Sequence, residues 1–196
     1  MKKYLLSTLA DGICVVLLSV CPILCYASAF SVKLESSVLI MAAVLFSIVF
    51  ILLSAFVKNN LKDALCMTVI AFVAFLVFVF ANERIFAQAN YAINKLLELY
   101  SVYLSVYSNI KFASYIANNA TGFFVLLSLI LNGLFSFLIS RIKSIKIAGL
   151  LSIALLVPCF VLVNTLPDLV PLLIIFTVLF ALYFSSQTRQ LNYAHS

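Results

Sequence analysis

Of the 196 residues of this chain, 66% are hydrophobic and 9% charged, and the net charge is +6. Soluble domains are nearer half apolar and a quarter charged, so the composition excludes an ordinary soluble domain and makes lipid the expected solvent for most of the surface. A net positive charge can signal nucleic acid, but here Lys and Arg sit at the ends of apolar runs, where they address anionic headgroups and set orientation; no nucleic-acid role is read.

The first apolar run, Ala10 to Phe30, follows Lys2 and Lys3. Ala27-Ser28-Ala29 offers the A-x-A pattern of a signal-peptide cleavage site. Against cleavage, Asp11 interrupts the start of the run, which is also long enough to span, so a retained helix is expected. Cys21 and Cys25 make no lipoprotein signal, because bulky Val20 and Leu24 precede them. The second run, Ser37 to Val57, comes after a tight connector holding Lys33 and Glu35, and should form an antiparallel hairpin with the first.

A third run, Ala64 to Ala81, follows Lys58, Lys62 and Asp63, the last well placed against a helix dipole. The fourth, Thr121 to Ser140, ends at Arg141, Lys143 and Lys146. The fifth, Ile147 to Val163, contains Pro158, which removes a backbone donor and predicts a kink. The sixth, Val170 to Ser186, ends before Arg189. Each run is about 17 to 21 residues, close to the roughly 20 that a hydrocarbon core of about 30 Å requires of a helix.

Between the third and fourth runs lies Asn82 to Asn119, neither a clear span nor a short loop. Gln88, Asn94, Lys95, Glu98, Ser101, Ser105 and Ser108 recur every three or four positions, while Ile85, Ala89, Ile93, Leu96, Tyr100, Tyr103 and Tyr107 fall on another face. This predicts an amphipathic helix over about 85–109, with tyrosines suited to a headgroup layer. It is either an interfacial or partly re-entrant helix laid over the bundle, or a docking or ligand-facing element.

Orientation follows from the basic residues. With the amino terminus in the cytoplasm, Lys2, Lys3, Lys58, Lys62, Arg141, Lys143, Lys146 and Arg189 fall inside, and Lys33, Arg84, Lys95 and Lys111 outside. Both termini are therefore expected in the cytoplasm of a bacterial cell, with the chain crossing the inner membrane several times.

Groups that carry chemistry are few. Cys14, Cys21, Cys25, Cys66 and Cys159 all lie in predicted spans without histidine at ligand spacing, and read as small packing residues; the sole histidine, His195, is in the terminal tail. No catalytic, cofactor-binding or metal-ligating residue is assigned, and no enzyme activity or cofactor is expected. Asp11 lies near the inner end of the first span, Glu83 and Arg84 form a helix-end pair, and Asp168 is in an outer loop; Asn132 alone lies near a span centre, where interhelical hydrogen bonding is its expected role. Gly12, Gly122, Gly133 and Gly149 form no GxxxG motif. A proton or ion relay is not expected, although a neutral substrate stays open.

Two stretches carry a family resemblance. Tyr91-Ala-Ile-Asn-Lys-Leu-Leu-Glu-Leu-Tyr100-Ser101, and Pro158 followed by Val163-Asn-Thr-Leu-Pro167-Asp-Leu-Val-Pro171, resemble the membrane-spanning region of bacterial membrane-anchored transglutaminase-like proteins, over roughly Asn82 to Arg189. That family's catalytic unit is a papain-like Cys-His-Asp domain outside the membrane, and no soluble segment here could hold it, so none of its catalytic residues carries over. The resemblance implies a membrane module that anchors or assembles with a membrane protein partner or a second copy, as a homo-oligomer, with the outer helix and the Pro167 loop exposed. In size and topology alone, the chain is also similar to the substrate-binding subunits of energy-coupling-factor vitamin transporters. The expected architecture is all-α: a polytopic integral membrane protein, one membrane domain over 1–196, with six transmembrane helices plus one amphipathic outer-face helix.

Overall fold

The computed structural model describes residues 2–56, 69–70, 72–76, 82–104, 117–139, 144–161 and 167–194, and all regular secondary structure among them is helical. The helices are α1 (Lys2–Ala29), α2 (Ser36–Phe56), α3 (Glu83–Leu104), α4 (Thr121–Phe137), α5 (Ile145–Val161) and α6 (Leu169–Ala194). The predicted third span, Ala64 to Ala81, falls largely outside the described residues; 69–70 and 72–76 within it are helical. Residues 105–116, the second half of the predicted amphipathic segment, and the basic connector 140–143 also lie outside them.

Among the described residues one stretch, Ala10–Ala29, with mean hydropathy 2.2, is long and apolar enough to cross a membrane. Shorter apolar helical stretches run over Ser36–Leu52, Thr121–Phe137, Ile145–Phe160 and Leu169–Ser185. A helix of 17 residues is about 26 Å long, at the lower end of what a bilayer core accepts.

Helix α1 is the hub, in contact with α2, α4, α5 and α6, while α2 lies most extensively along α4. The burial pattern separates the hub from the others. From Gly12 to Phe30 most positions of α1 and its cap are buried or half-buried, Ile13 being the exception, whereas each peripheral helix buries one stripe. On α2 the stripe is Leu39, Ala43, Ser47 and Phe50; on α5 it is Ala148, Ser152, Leu156 and Cys159; on α6 it is Pro171, Ile175, Val178 and Leu182. Steps of three or four residues keep each set on one side of its helix. The remaining faces expose Leu45, Ile48, Leu150, Ile153, Phe176 and Phe180, all apolar.

Close approach is set by small residues. A Cβ on Gly12 would lie 2.8 Å from Ile51 Cδ1, and one on Gly133 would lie 3.3 Å from the Phe50 ring. Glycine therefore lets α2 seat against both α1 and α4. Helix α1 also contains Pro22, unremarked in the sequence reading, which has no N–H to donate to the Leu18 carbonyl.

Helix α1 ends in a Schellman motif. Val32 N–H donates to Ala27 O at 2.8 Å and Ser31 N–H to Ser28 O at 3.3 Å, with Ser31 left-handed at φ 53°. The turn reverses the chain into α2, the antiparallel hairpin expected from the short connector.

Candidate functional site

The connectors at the α4 N-terminal end, here the cap end, are joined to one another. Ala120 N–H donates to Lys33 O at 3.0 Å, and Glu35 N–H to Thr121 Oγ1 at 3.0 Å. These bonds hold the α1–α2 turn on the start of α4. Ser28 joins α6 to α1, its Oγ accepting from Asp168 N–H at 3.0 Å while donating to Cys25 O at 3.0 Å. The ends of α1 and the beginnings of α2, α4 and α6 thus meet at one end, so α2, α4 and α6 all run antiparallel to α1.

Helix α3 completes this end. Asn82 caps it, Oδ1 accepting from Arg84 N–H at 3.1 Å, with Glu83 in the first turn, where a carboxylate suits the dipole. Ala120, the N-cap residue of α4, has no capping side chain. Gln88 of α3 supplies one: Oε1 accepts from Phe123 N–H at 3.1 Å and Nε2 donates to Asn119 Oδ1 at 3.3 Å. Gly122 gives it room, since a Cβ there would lie 2.6 Å from Gln88 Oε1. Tyr26 packs against Phe30 with the rings tilted by 43° and centroids 4.4 Å apart, and meets Phe124 edge-on at 5.7 Å.

The predicted faces of α3 are partly redrawn. Ile85, Ala89, Ala92, Leu96 and Leu99 form the inward stripe, with Ile85, Ala89 and Ala92 buried and Ile93 exposed. The buried face runs Ile85–Ala89–Ala92 and not the expected Ile85–Ala89–Ile93, with Ala87 and Asn90 also buried. Gln88, expected on the polar face, points into the cap. Lys95 Nζ and Glu98 Oε2 pair at 2.8 Å on the exposed side, and the hydrogen bond from Lys95 to Glu98 raises the lysine's pKa. Ser105, Tyr107 and Ser108 lie outside the described residues.

The Pro167 loop is expected to be exposed; residues 162–166 of it lie outside the described residues. Of the rest, Pro167 is fully buried beside Asp168, whose N–H bond to Ser28 Oγ ties this point of the chain to α1; Asp168, Leu169 and Val170 are exposed.

Inside the bundle a second polar group bridges α1 and α4. Asn132 Nδ2 donates to Ser19 Oγ and to Ser128 O, both at 2.9 Å. This is the interhelical hydrogen bonding expected of Asn132, in a pocket where Ser19, Ser128 and Asn132 are fully buried. Asn132 Oδ1 and the buried Ser136 Oγ, one turn along α4, have no hydrogen-bond partner among the described residues. Ser19 went unread because a lone serine in an apolar run gives no sign of its cross-helix partner.

Cys21, Cys25 and Cys159 are buried. Cys14 is half-buried, and all four are free thiols. Among the described residues no group of three or more His, Cys, Asp or Glu could hold a metal ion. Cys66 and His195 lie outside those residues.

These contacts define an all-α chain organised around one helix of membrane-crossing length. In comparisons with known proteins, no family model, curated protein or solved structure matches the chain.

Proposed function

We propose that this chain is a multi-pass membrane module without catalysis, both termini on the cytoplasmic side, which anchors or assembles with a partner through its outward-facing cap end. The observation that carries the reading is the outer surface of the peripheral helices. Leu45 is 63% exposed, Leu150 73% and Phe180 64%, within long faces of α2, α5 and α6 that present almost only apolar side chains. In water such faces would be patches far beyond the few hundred Å² that soluble monomers tolerate; in a bilayer they meet their own kind. Exposed charge supports the orientation, with Lys33, Glu35, Glu83, Arg84 and Asp168 at the cap end.

The cap end is the docking surface in this proposal because there the backbone is held by the Lys33, Ser28 and Gln88 bonds while charged side chains stay exposed. A partner meeting a rigid surface spends little free energy on ordering it. Kinship with the membrane region of transglutaminase-like proteins belongs to the same proposal and rests on Tyr91–Ser101 and the Pro158–Pro171 stretch.

The test is single-cysteine labelling in a cysteine-free background with a membrane-impermeant maleimide. Cysteines at Lys33, Asn118 and Asp168 should react in intact cells, and one at Lys146 only after lysis. Reaction of the Lys146 position in intact cells would reverse the topology. Photocrosslinking from Asp168 should then give one discrete product, and its absence counts against assembly through this end.

A second reading, a small-molecule transport subunit similar to energy-coupling-factor substrate-binding components, is favoured by one observation: Asn132 Oδ1 and Ser136 Oγ are buried polar atoms without a partner, such as a neutral polar solute could use. Mass spectrometry of the detergent-purified protein would find a co-purifying small molecule on that reading, lost in Asn132→Leu.

A further inference from the structure

Along α4, Ser128, Asn132 and Ser136 recur every four residues and share one face of the helix, and all three are buried. The hydrogen bonds around Asn132 run in one direction. Its Nδ2 donates to Ser128 O and to Ser19 Oγ, and Ser19 Oγ donates in turn to Val16 O at 2.9 Å. This chain fixes the orientation of the carboxamide, because Ser128 O is an acceptor only and must face the nitrogen. Asn132 Oδ1 is then an acceptor turned elsewhere, with no partner among the described residues.

Ser136 offers the complementary group. Ser19, Ser28, Ser128, Ser152 and Thr177 each donate to a carbonyl three or four residues back in their own helix. The Ser136 hydroxyl makes no such bond and has no other partner, although Ser136 is 1% exposed and Asn132 0%. A buried acceptor and a buried hydroxyl, one helical turn apart and both unsatisfied, lose their hydration without replacing it.

We propose that one internal water molecule is bound between Asn132 Oδ1 and Ser136 Oγ, extending the chain of hydrogen bonds to Ser136–water–Asn132–Ser19 along the contact of α1 with α4. The inference is independent of the anchoring reading. It competes with the transport reading for the same two atoms.

Size and chemistry both select water. Side chains one turn apart have Cβ atoms about 5–6 Å from each other. A water making two hydrogen bonds of about 2.8 Å bridges up to about 5.6 Å. Oδ1 needs a donor and the hydroxyl needs an acceptor, and water is both at once. Buried waters make about three bonds. The third acceptor is the Asn132 carbonyl, which a serine four residues later takes when it bonds back as Ser152 does to Ala148 O, and which Ser136 does not take. A larger solute would have to bring further atoms into a tightly packed stretch, where a Cβ on the neighbouring Gly133 would already lie 3.3 Å from the Phe50 ring.

The experiment is crystallography of the full chain at a resolution that shows ordered water, on the wild type, Ser136→Ala and Ser19→Ala, with mass spectrometry of the same samples for retained small molecules. The wild type should show a single spherical density peak within about 3.2 Å of both Asn132 Oδ1 and Ser136 Oγ. Ser136→Ala should lose it. Ser19→Ala should keep it, because the bond from Nδ2 to Ser128 O still holds the carboxamide in place. In detergent solution, nuclear Overhauser transfer from water to the Asn132 side-chain amide protons should follow the same pattern: present in the wild type and Ser19→Ala, lost in Ser136→Ala. Absence of the peak in the wild type, a direct bond from Ser136 Oγ to a protein acceptor, or a peak and a transfer unchanged by Ser136→Ala would overturn the proposal. Elongated density at the two atoms, with a co-purifying small molecule, would overturn it in favour of a solute; a water there with no such molecule counts against the transport reading and leaves the anchoring one intact.

Discussion

Gln88 caps a helix that begins more than 30 residues after it: its Oε1 accepts the Phe123 N–H of α4 at 3.1 Å, where the local N-cap residue is Ala120. An alanine N-cap leaves the first amides of a helix without a side-chain acceptor, typically at a cost of about 1 kcal/mol. Gln88→Leu should therefore destabilise the protein by about 1 kcal/mol in a detergent-based unfolding titration, while Gln88→Glu, which keeps an oxygen and adds charge favourable to the dipole, should lose less. Gly122 tests the same bond with a change of sign. Gly122→Ala places a Cβ 2.6 Å from Gln88 Oε1 and should destabilise the wild type. In a Gln88→Ala background the clash is gone and the same change should stabilise by up to about 1 kcal/mol through helix propensity.

Ser31 occupies the left-handed position of the Schellman motif that ends α1, at φ 53°. A residue with a Cβ is strained there by roughly 1–2 kcal/mol and glycine is not, although glycine brings more unfolded-state entropy. Ser31→Gly should stabilise the protein by up to about 1 kcal/mol in the same titration. Ser31→Val, β-branched at positive φ, should destabilise it. Stability unchanged by either substitution would mean that the turn does not keep this conformation in solution.

How much of this was legible beforehand depends on whether the signal was local. Apolar runs placed α2, α4 and α5 to within a few residues, whereas α1 begins eight residues before its run and α6 ends eight after, and the lone Asn132 in an apolar run pointed to an interhelical bond. Gln88 was visible as a polar residue at helical spacing, but its partner Phe123 is brought to it by tertiary structure, and phenylalanine gives no hint that its amide needs an acceptor. Pro167 read as a loop residue, hence exposed; the Ser28 hydroxyl that ties the neighbouring Asp168 to α1 lies at a sequence distance no pattern spans. Ile93 and Ala92 were confused because amphipathic periodicity tracks hydrophobicity, whereas close helix packing selects small side chains. Pro22 escaped notice because the surrounding apolar run is otherwise continuous.

The Asn132–Ser19 bond invites a double-mutant cycle. Interhelical hydrogen bonds within membranes average about 0.6 kcal/mol, with a maximum near 1.7, because the unfolded helices also find polar partners. Ser19→Ala, Asn132→Ala and the double variant should give a coupling energy in that range. Ser152 forms a control: its Oγ donates to Ala148 O within its own helix at 2.9 Å, so Ser152→Ala paired with Asn132→Ala should be additive. Coupling as large for Ser152 as for Ser19 would show that the effect is general softening of the bundle and not the cross-helix bond.

Lys95 and Glu98 make the final prediction, one of pH. The lysine's pKa is raised above 10.5, chiefly by its hydrogen bond to Glu98, which favours the charged form. A group whose folded pKa lies above its unfolded value stabilises the fold fully below the unfolded pKa, and that contribution is lost as pH rises through the folded one. The stabilisation should therefore hold at neutral pH and disappear on titration above about 10.5. Its size is small, a few tenths of a kcal/mol, because both side chains are substantially solvated and pairs three apart on a helix surface contribute little. An NMR titration of the Lys95 Nζ resonance is the sensitive measurement: Glu98→Gln should lower its midpoint toward that of an ordinary lysine, and high salt should move the wild type in the same direction. A midpoint indifferent to Glu98→Gln would mean that the pair is not formed and that the outward face of α3 is held only by the packing of its inner stripe.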